Sequence, residues 1–303
     1  MAIVGTGTPT NRTNIQLPNE VSREILEKTR YQSRVMQLAR RINLPGVGAQ
    51  IPIIAADPTP DWVTETGTKP VSNPTLDKKI MQAHKLAVIV PFSNEFRRDA
   101  AALYDALVER LPSVLAKKYD STVFFGPGVG VTLANFDNFA SLTPQSLSSS
   151  VYGGLVAADS AIAEQGGIMN GIILSPQGKS VLLGALDLQN RPIFIDSVRE
   201  GEVPYVLGAR TYLSAAAYKD GVAPAGTDPG TPDIIGFAGD WDHAMYGVVE
   251  GVQINYSSDA TLDIGSGNVI NLFQQNMFAV RAEIEVGFVA ETEYFVPLGR
   301  THA

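Results

Sequence analysis

The sequence contains no cysteine, and its 303 residues include only three histidines. The chain therefore cannot form a disulfide, bind zinc through thiolates or attack a substrate with a cysteine. The three imidazoles, those of His84, His243 and His302, are few for a metal site or for acid–base catalysis. We therefore expect no metal, no cofactor and no enzymatic activity.

Charged side chains are also scarce. Asp, Glu, Lys and Arg make up 18% of the residues, whereas about 25% is usual for soluble domains. Hydrophobic residues account for 45% and the mean hydropathy is only +0.05, so small and polar residues replace the missing charges. Such a surface is either kept in solution by something other than charge or covered by a partner.

Long apolar runs are missing as well. No segment approaches the roughly 18 apolar residues that a membrane helix needs, and the polar residues 1–18 are unlike a signal peptide. These absences predict a protein that is made and used in a cytoplasm and does not enter a membrane.

The charge that is present is unevenly distributed. The net charge of −8 and a pI near 5.0 argue against a protein that coats nucleic acid with a basic face. Residues 1–41 hold seven basic and three acidic side chains, a net charge of +4, which leaves −12 for the other residues. The basic residues are Arg12, Arg23, Lys28, Arg30, Arg34, Arg40 and Arg41. They form either a solvated helix face or an arm that docks on an acidic neighbour.

The start of the chain is predicted to be an extended arm followed by a helix. Residues 1–18 lack a helical pattern, and Asn19 is a suitable N-cap for a weakly amphipathic helix that runs to about Ile42. Leu44-Pro45-Gly46 then ends the helix.

Residues 56–79 have the composition of a projecting hairpin. They contain four prolines and one of the two tryptophans, Trp62, and strand-like segments flank them. The tip of the hairpin is expected near Thr66-Gly67-Thr68. A disordered surface loop is the alternative, but so long a loop is uncommon in a compact domain and an exposed tryptophan usually marks a contact.

Two later segments predict a helix that lies along an antiparallel sheet. Apolar residues alternate over 80–92 and over 278–288, which is the pattern of strands, and helical spacing holds from Ser93 to about Phe124. Pro112 is expected to bend this helix or split it, and Gly126 to end it. The glycines that follow lack the Lys-Ser/Thr of a phosphate-binding loop. The body should therefore be elongated and join distant parts of the sequence.

The middle of the chain is predicted to be a separate α/β region. We expect a helix over 152–164, a buried strand over 171–174 and a helix that Ser175 caps. Further strands are expected over 191–195 and 205–217. The run Asp240-Trp241-Asp242-His243 could imitate a metal cluster, although turn and strand chemistry explains it better.

Several motifs in order resemble the major capsid proteins of tailed bacteriophages, the shells of the Hong Kong 97 type. They are Trp62-Val63-Thr64-Glu65, the strand Lys85-Leu86-Ala87 leading to Ser93-Asn94-Glu95, and a long helix closed by Phe124-Phe125-Gly126. Arg191-Pro192-Ile193 also fits, although Asn190 stands where the family usually has glycine.

The resemblance implies an α+β Hong Kong 97-type fold. Its expected parts are an N-terminal arm and helix (1–46), an extended hairpin loop (47–82), a peripheral domain of long helix and long strands (83–130 and 271–303) and an axial α/β domain (131–270). A cleavable assembly segment precedes the arm in many members. Here either a separate scaffolding protein replaces it or the sequence is the mature form.

The resemblance also implies a function. The protein would assemble with itself into pentamers and hexamers of an icosahedral head, enclose double-stranded DNA without reading its sequence, and work with portal and scaffolding proteins. It would be made in the host bacterial cytoplasm and reside in the virion. Lys69, Lys78 and Lys79 lie in the hairpin, but no acceptor for an isopeptide bond is apparent, so cross-linking is not predicted.

Two groups of residues are the predicted contacts. Trp62, Glu65, Gly67 and Lys69 are expected to touch a neighbouring subunit, and the arm residues Arg23, Arg30, Arg34, Arg40 and Arg41 to face a neighbour or DNA.

Two other functions are considered. One is an encapsulin-like compartment that carries a protein cargo, and the other is a hydrolase that uses Asp240, Asp242 or Asp259.

Overall fold

The computed structural model describes residues 33–46, 48–56, 58–65, 67–69, 71–72, 75–95, 101–187, 189–194, 203–223, 230–264 and 269–302. The predicted extended arm, the first part of the predicted helix, and Arg23 and Arg30 lie outside these residues. Helices in the described part are α1 (Arg34–Leu38), α2 (Ala101–Phe125), α3 (Val151–Glu164) and α4 (Pro176–Leu183). Among the described residues, no helix is both long and apolar enough to cross a membrane.

Most strands belong to two sheets. The strands are β1 (Arg40–Asn43), β2 (Ala49–Ala56), β3 (Thr75–Met81), β4 (His84–Ser93), β5 (Gln145–Ser146), β6 (Gly171–Leu174), β7 (Tyr205–Val206), β8 (Ala209–Leu213), β9 (Asp233–Gly239), β10 (Ala244–Ser257), β11 (Thr261–Asp263), β12 (Val269–Asn271), β13 (Met277–Ala290) and β14 (Phe295–Arg300). One sheet has the order β1-β10-β13-β4 and the other β5-β14-β9-β6-β8-β7, while β2–β3 and β11–β12 pair separately.

The four-stranded sheet is long, as the period-two pattern predicts. β10 and β13 have 14 residues each and pair antiparallel, and β13 pairs antiparallel with β4 from Met277 opposite Ser93 to Val286 opposite His84. At about 3.3 Å per residue each long strand spans roughly 45 Å. The predicted pairing of the segments 80–92 and 278–288 is confirmed.

Helix α2 packs against β4 and β13 through one apolar stripe. Leu111, Leu115, Tyr119 and Val123 recur every fourth position and are buried. The helix continues through Pro112, so of the two predicted outcomes the split is wrong, and the bend stays a prediction. Gly126, at φ +80°, ends the helix as predicted.

In its described part, the predicted helix from Asn19 to Ile42 is confirmed only over residues 34–38, and residues 40–42 form a strand instead. Ser33 has extended backbone and its Oγ accepts from the amide of Met36, so a new helix begins after it. That helix, α1, ends at Leu38, and β1 follows, running parallel to β10 with Arg40 opposite Met245. The backbone of β1 takes up the hydrogen bonds of the β10 edge, which stabilises a strand where local propensity favours helix.

The six-stranded sheet carries α3 and α4. The predicted helix over 152–164, the buried strand over 171–174 and the Ser175 cap, whose Oγ accepts from the Gly178 amide, are confirmed. The predicted strand over 191–195 is wrong in its described part, where only an isolated bridge joins Leu186 and Pro192. The strand over 205–217 is broken by a tight turn at Leu207-Gly208, both at positive φ, and by a 3₁₀ helix (Ala215–Ala217).

The two sheets share one aromatic core. Phe139 stacks on Phe295 with centroids 4.5 Å apart, and Trp241 meets Phe295 edge-on at 5.1 Å. The sheets also exchange strands across the expected domain limits: β10, within 131–270, pairs with β13, while β14, within 271–303, lies in the six-stranded sheet. The domain boundaries stay a prediction.

Candidate assembly interface

The hairpin is built from β2 and β3, which pair antiparallel from Ala49 opposite Met81 to Ala56 opposite Thr75. Between them lies the hairpin loop, defined as residues 58–72, of which 58–65, 67–69 and 71–72 are described. The Thr59 amide donates to Ser72 Oγ at 3.0 Å and joins the two sides of the loop. The paired strands confirm the predicted hairpin.

The four predicted contact residues of the hairpin, Trp62, Glu65, Gly67 and Lys69, all lie on this loop and are exposed. Trp62 is 101% exposed, so its ring is fully open to solvent in the single subunit. The Gly67 amide donates to the Thr64 carbonyl at 2.9 Å and forms a tight turn at the predicted tip. The fold therefore brings these residues together without covering them.

The base of the hairpin is fixed to the body by Lys79 on β3. Its ammonium donates to Asp137 Oδ2 at 3.0 Å and to the Ala290 carbonyl, and Asp137 Oδ2 also accepts from the Ala290 amide at 3.0 Å. The pair is about one-third exposed on each side. The base of the hairpin is thus held to the body by charge and hydrogen bonds, whereas the described loop residues bond only within the loop.

Of the five predicted arm residues, Arg34, Arg40 and Arg41 are described. Arg34 turns toward its own subunit: Nε donates to the Leu213 carbonyl at 2.9 Å and Nη1 to Gln37 Oε1 at 2.7 Å. Arg40 and Arg41 are exposed on β1, at the edge of the four-stranded sheet. The arginines therefore divide into one that anchors α1 and two that face solvent.

A buried carboxylate holds α1 against the long helix. Asp120 on α2 is 2% exposed and accepts hydrogen bonds from Ser33 Oγ and, at 2.9 Å, from the Arg34 amide. Burial raises the pKa of Asp120 to about 6, although the hydrogen bond from Ser33 and those from the backbone oppose the shift. This anion compensates the free amides at the start of α1.

A cavity of about 520 Å³ opens beside Arg34. It lies between α1, α4 and β8 and is lined by Arg34, Gln37, Leu174, Lys179, Val203, Pro204, Arg210, Thr211, Tyr212 and Leu213. We call it the cationic pocket, because the charged residues among its described lining, Arg34, Lys179 and Arg210, are all basic. Arg210 lies over the Tyr212 ring at 5.3 Å from the centroid.

Of the carboxylates considered for hydrolysis, Asp240 and Asp242 lie side by side, since both accept from Asn170 Nδ2, whereas Asp259 lies far from them. Asp240 accepts from the Ile168 amide at 3.0 Å and from Asn170 Nδ2 at 2.9 Å, which makes it a buried turn residue beside Asp242. Asp259 follows the far end of β10, a strand of 14 residues that spans roughly 45 Å. No acid–base pair can form between these two ends of the strand.

One group of possible metal ligands exists among the described residues: Asp220, Asp233 and His302, whose ligand atoms lie within 4.8 Å of one another. Arg300 Nη2 also donates to Asp233 at 3.1 Å, so a cation already occupies one side of the buried carboxylate. Burial alone would raise the pKa of Asp233, but hydrogen bonds from His302, Gly221 and Arg300 hold it below its usual value. These contacts attach the end of β14 and the residues after it to Asp233 on β9.

Comparison with known proteins shows the family. A sequence model of the phage capsid family matches residues 14–298. The chain belongs to the phage capsid family. The capsid protein is 26% identical over 296 residues to the probable major capsid protein gp17 of Mycobacterium phage D29, covering 93% of this chain and 89% of that relative. It is 24% identical over 299 residues to the major capsid protein of Staphylococcus phage 80alpha, with 93% and 84% covered.

Solved structures share the fold. A chain from Microbacterium phage Oxtober96 has a TM-score of 0.70 at 22% identity, covering 88% of the capsid protein and 91% of that chain. A chain from Gordonia phage Cozz has a TM-score of 0.72 at 20% identity, with 90% and 87% covered. The Hong Kong 97-type fold predicted from the sequence is confirmed.

The predicted function is confirmed as well: the chain is a major capsid protein of the tailed-phage type, and copies of it assemble into the virion shell. The relatives are structural capsid proteins. An encapsulin-like compartment is not favoured.

Sequence reasoning missed several residues that shape the surface of the capsid protein. Asp120 falls between apolar positions of a long helix, and its burial depends on α1, which packs across it from 86 positions away. The cationic pocket joins three elements that are far apart in the sequence, so no local pattern marks it. The bond from Lys79 to Asp137 joins residues 58 positions apart, so the sequence does not distinguish Lys79 from the other lysines of the hairpin.

Proposed function

We propose that the hairpin loop is the part of the capsid protein that holds a neighbouring subunit, with Trp62, Glu65 and Lys69 in the contact. The complete exposure of Trp62 is the observation that carries this proposal. Burying such a ring removes roughly 150–250 Å² from water, which contributes about 4–6 kcal/mol before the entropy of association is subtracted. Repetition in a closed symmetric shell multiplies each such contact.

Gly67 has a shaping role in this proposal. A Cβ at this position would lie 2.9 Å from Val63 Cγ1 and 3.1 Å from the Thr64 carbonyl oxygen. Any other residue would therefore push apart the tight turn that presents Trp62 and Glu65. The turn fixes the tip so that less conformational entropy is lost when a neighbour binds.

The exposed arginines of the arm contribute a second contact. Arg40 and Arg41 lie on the edge strand β1, and the rest of the subunit carries a net negative charge. We assign them, with Arg23 and Arg30, to an acidic neighbour or to enclosed DNA, without recognition of sequence. Arg34 instead attaches α1 to its own subunit, because its guanidinium donates to the Leu213 carbonyl of the same chain.

The protein acts in this proposal as a structural element without catalysis. Asp259 is separated from Asp240 by β10, and Asp240 and Asp242 share Asn170 Nδ2 while Asp240 also accepts from the backbone amides of the turn, which supports that assignment. The shell would enclose double-stranded DNA, and portal and scaffolding proteins would be its further partners. The acidic body suits this role, because it repels DNA and leaves the genome free to be released.

Substitution of Trp62 tests the central contact. Trp62→Ala should give a folded subunit, judged by circular dichroism and its melting temperature, that forms no shells in negative-stain electron microscopy and sedimentation. Trp62→Phe is the matched control, because it keeps an aromatic ring and should retain assembly in part. Shells of normal yield and shape from Trp62→Ala would refute the proposed role of the loop.

A further inference from the structure

The cationic pocket has the properties of a binding site. Its volume of about 520 Å³ falls within the range of roughly 300–1,000 Å³ that is typical of ligand pockets. Arg34, Lys179 and Arg210 line it, and none of the described residues that line it is acidic. In the part of the chain that the structure describes, none of the three forms an ion pair with a carboxylate. Cations gathered around one cavity repel one another, so an anion that enters it stabilises all three.

The pocket also has an apolar side. Leu174, Val203, Pro204 and Leu213 line it beside Tyr212. Its occupant should therefore carry both negative charge and apolar surface. A bare phosphate carries negative charge but has no apolar surface.

The hairpin loop carries a segment with this combination. In Asp61–Glu65 two exposed carboxylates flank Trp62 and Val63, which are 101% and 39% exposed. The pocket of the same chain does not hold this segment, because Trp62 would then be covered. A second copy of the chain can supply it.

We propose that the cationic pocket of one subunit receives the segment Asp61–Glu65 of the hairpin loop of a second copy. Trp62 then packs on the apolar side of the pocket near Tyr212 and Arg210, where cation–π attraction adds to burial. The carboxylates of Asp61 and Glu65 pair with Lys179 and the neighbouring arginines. This assignment rests on the proposed function of the loop and names the surface that the loop binds.

Chemical cross-linking tests the contact in assembled shells of the full chain. The natural sequence has no cysteine, so a thiol-specific cross-linker reacts only with the two cysteines that are introduced. In particles of the double variant Glu65→Cys and Lys179→Cys, a short bis-maleimide should link subunits into dimers and higher oligomers on a denaturing gel. Glu65→Cys paired with Ser160→Cys, an exposed position on α3, is the matched control and should give monomers. Links within one chain only, or no links in intact particles, would overturn the assignment.

Charge reversal tests the chemistry of the contact. Lys179→Glu should lower the yield of shells at least about tenfold, the change that losing one well-desolvated charge pair produces in an association constant. The double variant Glu65→Lys with Lys179→Glu should restore assembly. If Lys179→Glu assembles normally but Trp62→Ala does not, the pocket assignment fails while the role of the loop stands. Normal shells that retain less DNA would instead make the pocket a phosphate site and overturn the proposal.

Discussion

The two tryptophans of the capsid protein lie in opposite environments. Trp241 is 1% exposed, packs edge-on against Phe295 and donates from Nε1 to the Gly171 carbonyl at 3.0 Å. Trp62 is fully exposed on the hairpin loop. The same side chain thus completes the core of the body in one place and is open to solvent in the other.

This difference shows which parts of the subunit are stable by themselves. Around Trp241 every neighbour belongs to the same chain, and Gly171 leaves the space for the indole, since a Cβ there would lie 2.8 Å from Trp241 Cδ1. The hydrogen bonds of the described loop residues stay within the loop, such as the one from the Thr59 amide to Ser72. The body is therefore stabilised by contacts within the chain, and we expect the loop to be stabilised by assembly.

The largest expected effect on the subunit is at Trp241. Trp241→Ala should lower the free energy of unfolding by about 3–5 kcal/mol, because it leaves a cavity among Phe139, Phe295 and Gly171 and an unpaired carbonyl. Denaturant titration followed by circular dichroism measures the loss. Trp241→Phe should recover part of the lost unfolding free energy. A loss below about 1 kcal/mol for Trp241→Ala would contradict the claim that Trp241 stabilises the body.

A smaller effect concerns the buried Asp120, where the arm meets the body. Its folded pKa of about 6 lies above the usual 3.8 of an aspartate, so the folded state binds the proton more tightly than the unfolded state. Its contribution to stability is therefore fully present below pH 4 and falls as the pH rises toward 6, by about 2–3 kcal/mol in all.

The variant Asp120→Asn cannot titrate and isolates this contribution. Between pH 4 and pH 7, the unfolding free energy of the natural protein should fall by about 2–3 kcal/mol relative to that of Asp120→Asn. Asp233→Asn is the control of opposite sign, because the pKa of Asp233 is lowered and its contribution is lost only as the pH falls below its usual range. Parallel pH profiles for the natural protein and Asp120→Asn would contradict the raised pKa.

The longest elements that the sequence predicts correctly have a periodic pattern. The stripe on α2 and the alternation on β13 repeat over many residues, and such periodicity survives any tertiary context. β1 has no such pattern, because it forms by pairing with β10, some 200 positions later, and its arginines favour helix by themselves. Tertiary pairing overrode local propensity there.

Of the candidate assembly interface, the hairpin loop could be predicted from the sequence and the cationic pocket could not. Trp62 could be singled out, because a large aromatic residue among prolines has no core of its own to enter. The cationic pocket could not, because Arg34, Lys179 and Arg210 come from three elements whose proximity depends on the completed fold. A projecting segment is therefore visible in a sequence, whereas the concave surface that receives it is not.

The smallest expected effect on subunit stability is at Trp62. Substitution there is the sharpest test of the contrast between the exposed Trp62 and the buried Trp241. Trp62→Ala should change the unfolding free energy by less than about 0.5 kcal/mol, as exposed positions usually do. In unassembled natural protein, acrylamide should quench the fluorescence of Trp62 but not that of Trp241. Assembly should protect Trp62, because a neighbour then covers the ring. A destabilisation above about 1 kcal/mol would mean that Trp62 packs on its own chain, and unchanged quenching in intact shells would mean that no neighbour binds it.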